Sequence, residues 1–595
     1  MCGIAGIITL NPNNVSIAKL KLMTDAIAHR GPDGEGQWID ETAKVGLAHR
    51  RLSIIDLAST ADQPMHYLQN RYTIVFNGEI YNYLELKQQL LHKGYTFRTQ
   101  SDTEVLMALY DLKKEACLHD LEGMFAFVIW DKQEQSLFCA RDRFGEKPFY
   151  YHHNAHSFYF ASEMKALWAV GVPKTPNPTQ VFLYLGYGAQ NNAAQPTETF
   201  YANIQQLQHA HCFTLRNNVI TNHRQYWDID LKNRNQSITL SEASDTFHQL
   251  FSTSIQHRLR SDVAVGSSLS GGLDSSSIVT LIDKLKPENQ IQKTFSARFT
   301  NFSKDEGEYI AAVVEANNVQ SHEVFLTTQL LNTQLNQVYH HQEQPFGSTS
   351  IIAQWEVMKL AKQHNVTVLL DGQGADELLG GYNHYFYNYY SSLMRTNKQA
   401  LAQQQAHYLV LNNKAFDCGN NFKLHTYFPQ LRSNLRIIKN KFTTPNYFKQ
   451  FNAEYLNEYK NTPFNTGFIT DLNQALYHST MKGGLQNLLH YADRNSMAHS
   501  REVRLPFLNY KLVEFIFSLP DEFKLHNGWT KYILRNSMSA QLPNAICWRK
   551  DKVGFEPPNY KYIDKEIAEH SKEILLKHNL LNKNNSATNL DWEYY

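Results

Sequence analysis

Seven consecutive residues, Ser270-Gly271-Gly272-Leu273-Asp274-Ser275-Ser276, set two glycines, three hydroxyls and a carboxylate side by side. The apolar run Val263-Ala264-Val265 precedes them, and Ile278, Val279, Ile282 and Leu285 follow at helical spacing, so the stretch reads strand, tight loop, helix. Glycines without Cβ atoms let a polyphosphate approach the backbone, and the new helix turns its unpaired N–H groups and positive dipole end toward it. Ser270, Ser275 and Ser276 add donors, and Asp274 can hold a Mg²⁺ that neutralises the phosphates. The loop has no Walker lysine, and G-x-x-x-x-G-K-S/T occurs nowhere in the chain.

A second run, Asp371-Gly372-Gln373-Gly374-Ala375-Asp376-Glu377, follows the apolar Val366–Leu370 and opens another helix. With Lys293–Phe299 as a further strand, the order of elements predicts a doubly wound α/β sheet with nucleotide at the strand C-termini. Asp274 and Asp376 then form a Mg²⁺ pair, because a metal-bridged polyphosphate draws oxygen ligands from more than one loop.

The third reactive position is Cys2. Removal of Met1 leaves a residue carrying both a thiol nucleophile and, in its own α-amine, a base. Polar turns follow at His29–Gly34, Leu47–Ile54, Phe76–Tyr81 and Ser101–Glu104. A thiol attacking an amide needs donors for the oxyanion, which Asn77 and the Gly78 N–H can supply. An amino-acid substrate needs a cation and an anion, for which Arg51 and Asp102 are the candidates.

These residues need several cores to hold them, and 595 residues allow two or three large domains. Lys+Arg (57) balance Asp+Glu (56), so no global field recruits nucleic acid or a membrane surface. No apolar run reaches the ~20 residues of a membrane helix. Six scattered cysteines without a C-x-x-C pair fit a reducing cytoplasm. The aromatic and basic residues of 432–442 read as helical surface rather than a nucleic-acid platform.

Cys2-Gly3-Ile4-Ala5-Gly6, His29-Arg30-Gly31-Pro32-Asp33, Arg51-Leu52-Ser53-Ile54, Asn77-Gly78-Glu79-Ile80-Tyr81, Ser101-Asp102 and Ala140–Pro148 together resemble the class II glutamine amidotransferase domain. The loop at 270–276 is similar to the pyrophosphate-binding loop of ATP pyrophosphatases. Both, in this order, resemble the glutamine-dependent asparagine synthetase family over roughly residues 2–560. The resemblance implies an α-β-β-α Ntn-hydrolase sandwich at 2–200, a connector at 201–240, an ATP pyrophosphatase domain at 241–575 and a polar tail at 576–595.

It implies Cys2 as nucleophile, Asn77 and Gly78 as oxyanion hole, and Arg51, Glu79 and Asp102 as further glutamine ligands. Ser268, Leu269, Ser270, Gly271, Gly272, Leu273, Asp274, Ser275, Ala297, Asp371 and Gly372 would bind ATP. Gln373 would face the adenylate, Lys552 would balance charge during its formation and attack, and Asp274 with Asp376 would bind Mg²⁺. The expected partners are glutamine, aspartate and ATP, and a homodimer is compatible with them. Arg504 and Asp493 read as a structural ion pair, and His29 as a structural hydrogen-bonding residue. Gln373 departs from the acidic residue of many relatives, and an amide cannot be a general base. Another acceptor, such as a sugar uronate, therefore stays open beside aspartate, as does a glutaminase with an inactive synthetase half.

Overall fold

The computed structural model describes residues 2–300, 302, 305–348, 350–417, 419–428, 430, 448, 451–462, 469–550 and 572–581. Its N-terminal half contains β1 (Cys2–Thr9), β2 (Gly34–Ile39), β3 (Val45–Arg51), β4 (Met65–Tyr67), β5 (Tyr72–Ile80), β6 (Gly123–Asp131), β7 (Ser136–Arg141), β8 (Tyr150–His153), β9 (Ser157–Ala161), β10 (Gln205–Gln206), β11 (His211–Arg216) and β12 (Val219–Gln225). They form two six-stranded antiparallel sheets, ordered β10-β8-β9-β1-β3-β2 and β12-β11-β7-β6-β5-β4.

Ile4, Ile8 and Leu47 of the first sheet meet Val75, Val128 and Leu137 of the second. Alternation along each strand sends the other face outward. Ala5, Ile7 and Ala48 thus pack on Leu20 and Met23 of the helix Ile17–Ala26. Phe125 and Phe127 pack with Val105 and Leu109 of the helix Asp102–Lys113. Helix, sheet, sheet, helix is the expected sandwich.

Residues 205–225, expected within a connector, instead add β10, β11 and β12 to these sheets. The physical reason is that β12 is an edge strand with its side chains mostly in water, so it carries none of the alternation that marks a half-buried strand. Of the tail expected at 576–595, residues 576–581 are part of the fold, Leu581 bridging Phe451, and the rest lies outside the described residues.

The C-terminal half is built on a parallel sheet of β13 (Val265–Ser268), β14 (Gln292–Phe299), β15 (Val319–Leu326), β16 (Val368–Leu370) and β17 (Glu502–Arg504), ordered β15-β14-β13-β16-β17. Helices cover both faces, as parallel strands joined by crossovers require. Leu52, Ile54, Tyr81, Met124 and Phe144 of the first half join Leu369, Leu370 and Leu508 of the second in one buried apolar cluster. The seam between the halves is therefore core, not a hinge. Among the described residues no helix is long and apolar enough to cross a membrane.

Candidate functional site

Cys2 opens β1 and pairs with Arg51 across the β1–β3 ladder. Cys2, Arg51, Gly78, Glu79 and Asp102 line one small cavity of about 30 Å³. The Cys2 backbone N–H donates to Asn77 Oδ1 at 3.0 Å. That contact turns the amide so that Asn77 Nδ2 is buried without a partner. A buried donor left unmade is costly, and an oxyanion is the partner that would satisfy it.

Burial pushes the Cys2 thiol up, against the N-terminal ammonium, the Leu52 N–H and Arg51. Asp102 sits on the first turn of its helix and accepts the Ile80 N–H at 2.9 Å. Burial still raises its carboxyl to about 6, opposed by the N–H groups of Ile80 and Thr103. Arg51 is braced by Asp62 at 2.7 Å and by the carbonyls of Ala58 and Asp56. A guanidinium is thereby held in place in the cavity wall.

The second cavity, about 390 Å³, lies at the C-terminal ends of β13, β14 and β16. Ser268, Leu269, Ser270, Gly272, Leu273, Asp274, Ser275, Ala297, Asp371, Gly372, Gln373 and Asp376 all line it. Gly271 does not. Its φ of +73° suits glycine, and a Cβ there would stand 2.7 Å from Tyr309 Cβ, so it serves the turn rather than the cavity wall. The Ser270 N–H and hydroxyl meet Ser275 Oγ at 3.2 and 3.1 Å, which ties the loop to the first turn of the helix Leu273–Leu285. Burial raises the Asp371 carboxyl. Gln373 presents a buried, unpartnered Oε1, an acceptor for an incoming N–H and not a base.

Asp274 and Asp376 come together as expected, around a cation that the sequence did not reveal. Lys531 Nζ is paired with both, at 2.7 Å from Asp376 Oδ1. Burial disfavours the ammonium, but the two carboxylates outweigh it and hold Lys531 above the usual lysine range. A lone lysine 257 residues from Asp274 carries no local signal. The donor set suits Mg²⁺: two carboxylates converge on one point, and Asp274 Oδ1 is buried without a partner. Lys552, expected at this site, lies outside the described residues.

The two cavities are joined through β17. The Asp371 N–H donates to the Arg504 carbonyl at 3.0 Å. The Arg504 side chain bonds Glu502 at 2.5 Å and lies 3.6 Å from Glu79 of the Cys2 pocket. The expected Arg504–Asp493 pair is therefore not formed. Asp493 instead takes a two-pronged contact from Arg30 at 2.8 and 2.9 Å, and Arg30 Nε donates to the Cys2 carbonyl at 3.1 Å. Sequence separation hid this choice of partners, since Arg30 and Asp493 lie 463 residues apart.

His29 bonds Glu163 at 3.1 Å, the structural role expected for it. With His341 these residues bring three ligand atoms within 4.8 Å of one another. Glu163 is already paired with Arg30, Lys165 and Arg494 at 2.8, 2.8 and 3.0 Å. So much positive charge opposes a divalent ion, and the cluster is an ion-pair network between the halves.

Residues 1–227 match the glutamine amidotransferase domain family, and residues 246–589 match the asparagine synthase family. Asparagine synthetase 1 (glutamine-hydrolysing) of Bacillus subtilis is 32% identical over 97% of this chain and 90% of its own length. A putative asparagine synthetase of Methanocaldococcus jannaschii is 34% identical, covering 66% of this chain and 78% of its own. The amidase chry2 of Gibberella zeae is 26% identical over 98% of this chain and 92% of its own.

Proposed function

Because the chain belongs to the asparagine synthetase family, with a glutamine amidotransferase domain ahead of an asparagine synthase domain, we propose that it is a glutamine-dependent ligase that amidates aspartate at the expense of ATP. The observation that carries the reading is β17, whose Arg504 touches the wall of each cavity, so that two half-reactions share one rigid frame.

At Cys2, Arg51 takes the substrate carboxylate and Asp102 its ammonium. The thiolate adds to the glutamine amide carbon, and Asn77 Nδ2 with the Gly78 N–H holds the oxyanion. Collapse expels ammonia as the Cys2 α-amine, freed by loss of Met1, passes the thiol's proton to the leaving nitrogen, and water releases glutamate from the thioester. In the larger cavity an aspartate β-carboxylate oxygen attacks the α-phosphorus of ATP, pyrophosphate leaves, and β-aspartyl-AMP results. Mg²⁺, which Asp274 and Asp376 would hold, neutralises charge on the phosphates when bound. Ammonia then attacks the acyl carbon and AMP departs. Enclosed passage between the two sites would keep ammonia unprotonated and concentrated between the two steps.

Asn77→Ala is expected to lower the rate of glutamine hydrolysis by ~10²–10³-fold with a smaller change in KM, because its donor matters most when charge develops on oxygen. Steady-state glutamate release reads this out, and a change confined to KM would remove Asn77 from the oxyanion hole.

Ser350, Ile351, Gln354, Leu488 and Tyr491 also line the larger cavity and carry no charge. Glu306, Glu377, Arg535 and Arg549 line it as well and could meet the ammonium and carboxylate of an amino acid, which favours aspartate. The second reading, which would use the uncharged side, is a carboxylate on an uncharged body such as a sugar uronate. Release of AMP and pyrophosphate with ATP, Mg²⁺ and glutamine decides between them. Stimulation by aspartate supports asparagine formation; stimulation by a uronate alone moves the reading to the other acceptor. Glutamine cleavage with no AMP on any carboxylate would leave a glutaminase.

A further inference from the structure

We infer that Lys531 is a resident cation of the Asp274–Asp376 pair that keeps divalent metal out until nucleotide arrives, so that Mg²⁺ enters with ATP rather than before it. The inference rests on reading that pair as the metal site.

Lys531 is built into this position. Its side chain is only 2% exposed and reaches Asp274 Oδ2 and Asp376 Oδ1 together. The backbone is left-handed, with φ 52° and ψ 38°, at the start of the helix Tyr532–Met538. That conformation is less favourable for a β-carbon-bearing residue than for glycine. Gly381 supplies the space for the contact. A Cβ there would stand 1.7 Å from Asp376 Oδ1 and 2.4 Å from Lys531 Cε, and its N–H bonds the Asp376 carbonyl at 2.9 Å. Aspartate, lysine and glycine are thus shaped around one another.

Charge explains the consequence. Two carboxylates around one ammonium have half their charge neutralised, and a divalent ion entering beside it meets a like charge at contact distance. A polyphosphate alters both terms. It brings its own oxygens to the metal, and it offers the displaced ammonium a new anionic partner within the same cavity, which Lys531 also lines.

The test uses the full-length chain and Mn²⁺, with free ion followed by electron paramagnetic resonance, without nucleotide and with a non-cleavable α,β-methylene ATP. The wild type is expected to take up Mn²⁺ weakly alone and tightly with nucleotide. Lys531→Met is expected to bind Mn²⁺ at least tenfold tighter than wild type in the absence of nucleotide, Lys531→Arg to keep the exclusion, and Lys531→Met with Asp274→Asn to lose the gain. Thermal melting checks folding, and Lys531→Gln replaces the methionine variant if that one does not fold. Wild type binding Mn²⁺ alone as tightly as Lys531→Met overturns the inference and leaves the metal pair standing. Absence of Mn²⁺ uptake in every protein, with nucleotide or without, overturns the metal pair itself.

Discussion

With Cys2 replaced by alanine, glutamine no longer supports amide formation, a loss of at least ~10⁴-fold, whereas ammonium salts at alkaline pH still do. The thiol is the strongest nucleophile among the residues lining its cavity. The ATP cavity lies across the seam and does not use it, so adenylation is unchanged. Amide and AMP measured with glutamine and with ammonium give the answer. Retained glutamine dependence would place the nucleophile elsewhere, and failure with ammonium as well would make Cys2 a structural support for both sites.

Asp376→Asn is expected to have the other large effect, inverted in its distribution. ATP conversion to AMP falls by ~10²–10³-fold with either nitrogen source, while glutamine is still cleaved. The substitution removes one of two anionic oxygen groups around the cation, and a neutral amide is a poor replacement. Lys531 keeps Asp274 as a partner, so no buried ammonium is stranded and the fold survives. Pyrophosphate release with saturating ATP and ammonium is the measurement. Wild-type rates in Asp376→Asn would strike this residue from the metal pair.

The features legible in the sequence were those whose parts are neighbours along it. The cradle at 270–276 packs its glycines, hydroxyls and carboxylate into two turns, so strand, loop and helix could be inferred without knowing the rest of the fold. Cys2 was legible through its position and the polar residues near Asn77 and Asp102, although the turn expected at Phe76–Tyr81 falls on strand β5 and the one at Ser101–Glu104 is the start of the helix Asp102–Lys113. Lys531 and the Arg30–Asp493 contact depend on tertiary folding alone, since any buried carboxylate could have taken either cation. The ends of the first domain were obscured for another reason: β12 faces water, and an exposed edge strand has no hydrophobic pattern to read. Gly271 was legible as a turn residue, but its service to Tyr309 rather than to the cavity wall needed the helix packed beside it.

The Arg30 contact bears on how such an enzyme can evolve. The carbonyl of the nucleophile is held by an arginine whose two-pronged anion belongs to the other half of the chain. Stripping one partner from a buried ion pair costs about 3–5 kcal/mol. The amidotransferase half is therefore not a cassette that can be traded among synthetases at will. Its donor chemistry is inherited together with the partner that completes its foundations, and recombination at the boundary must carry both or repair the break.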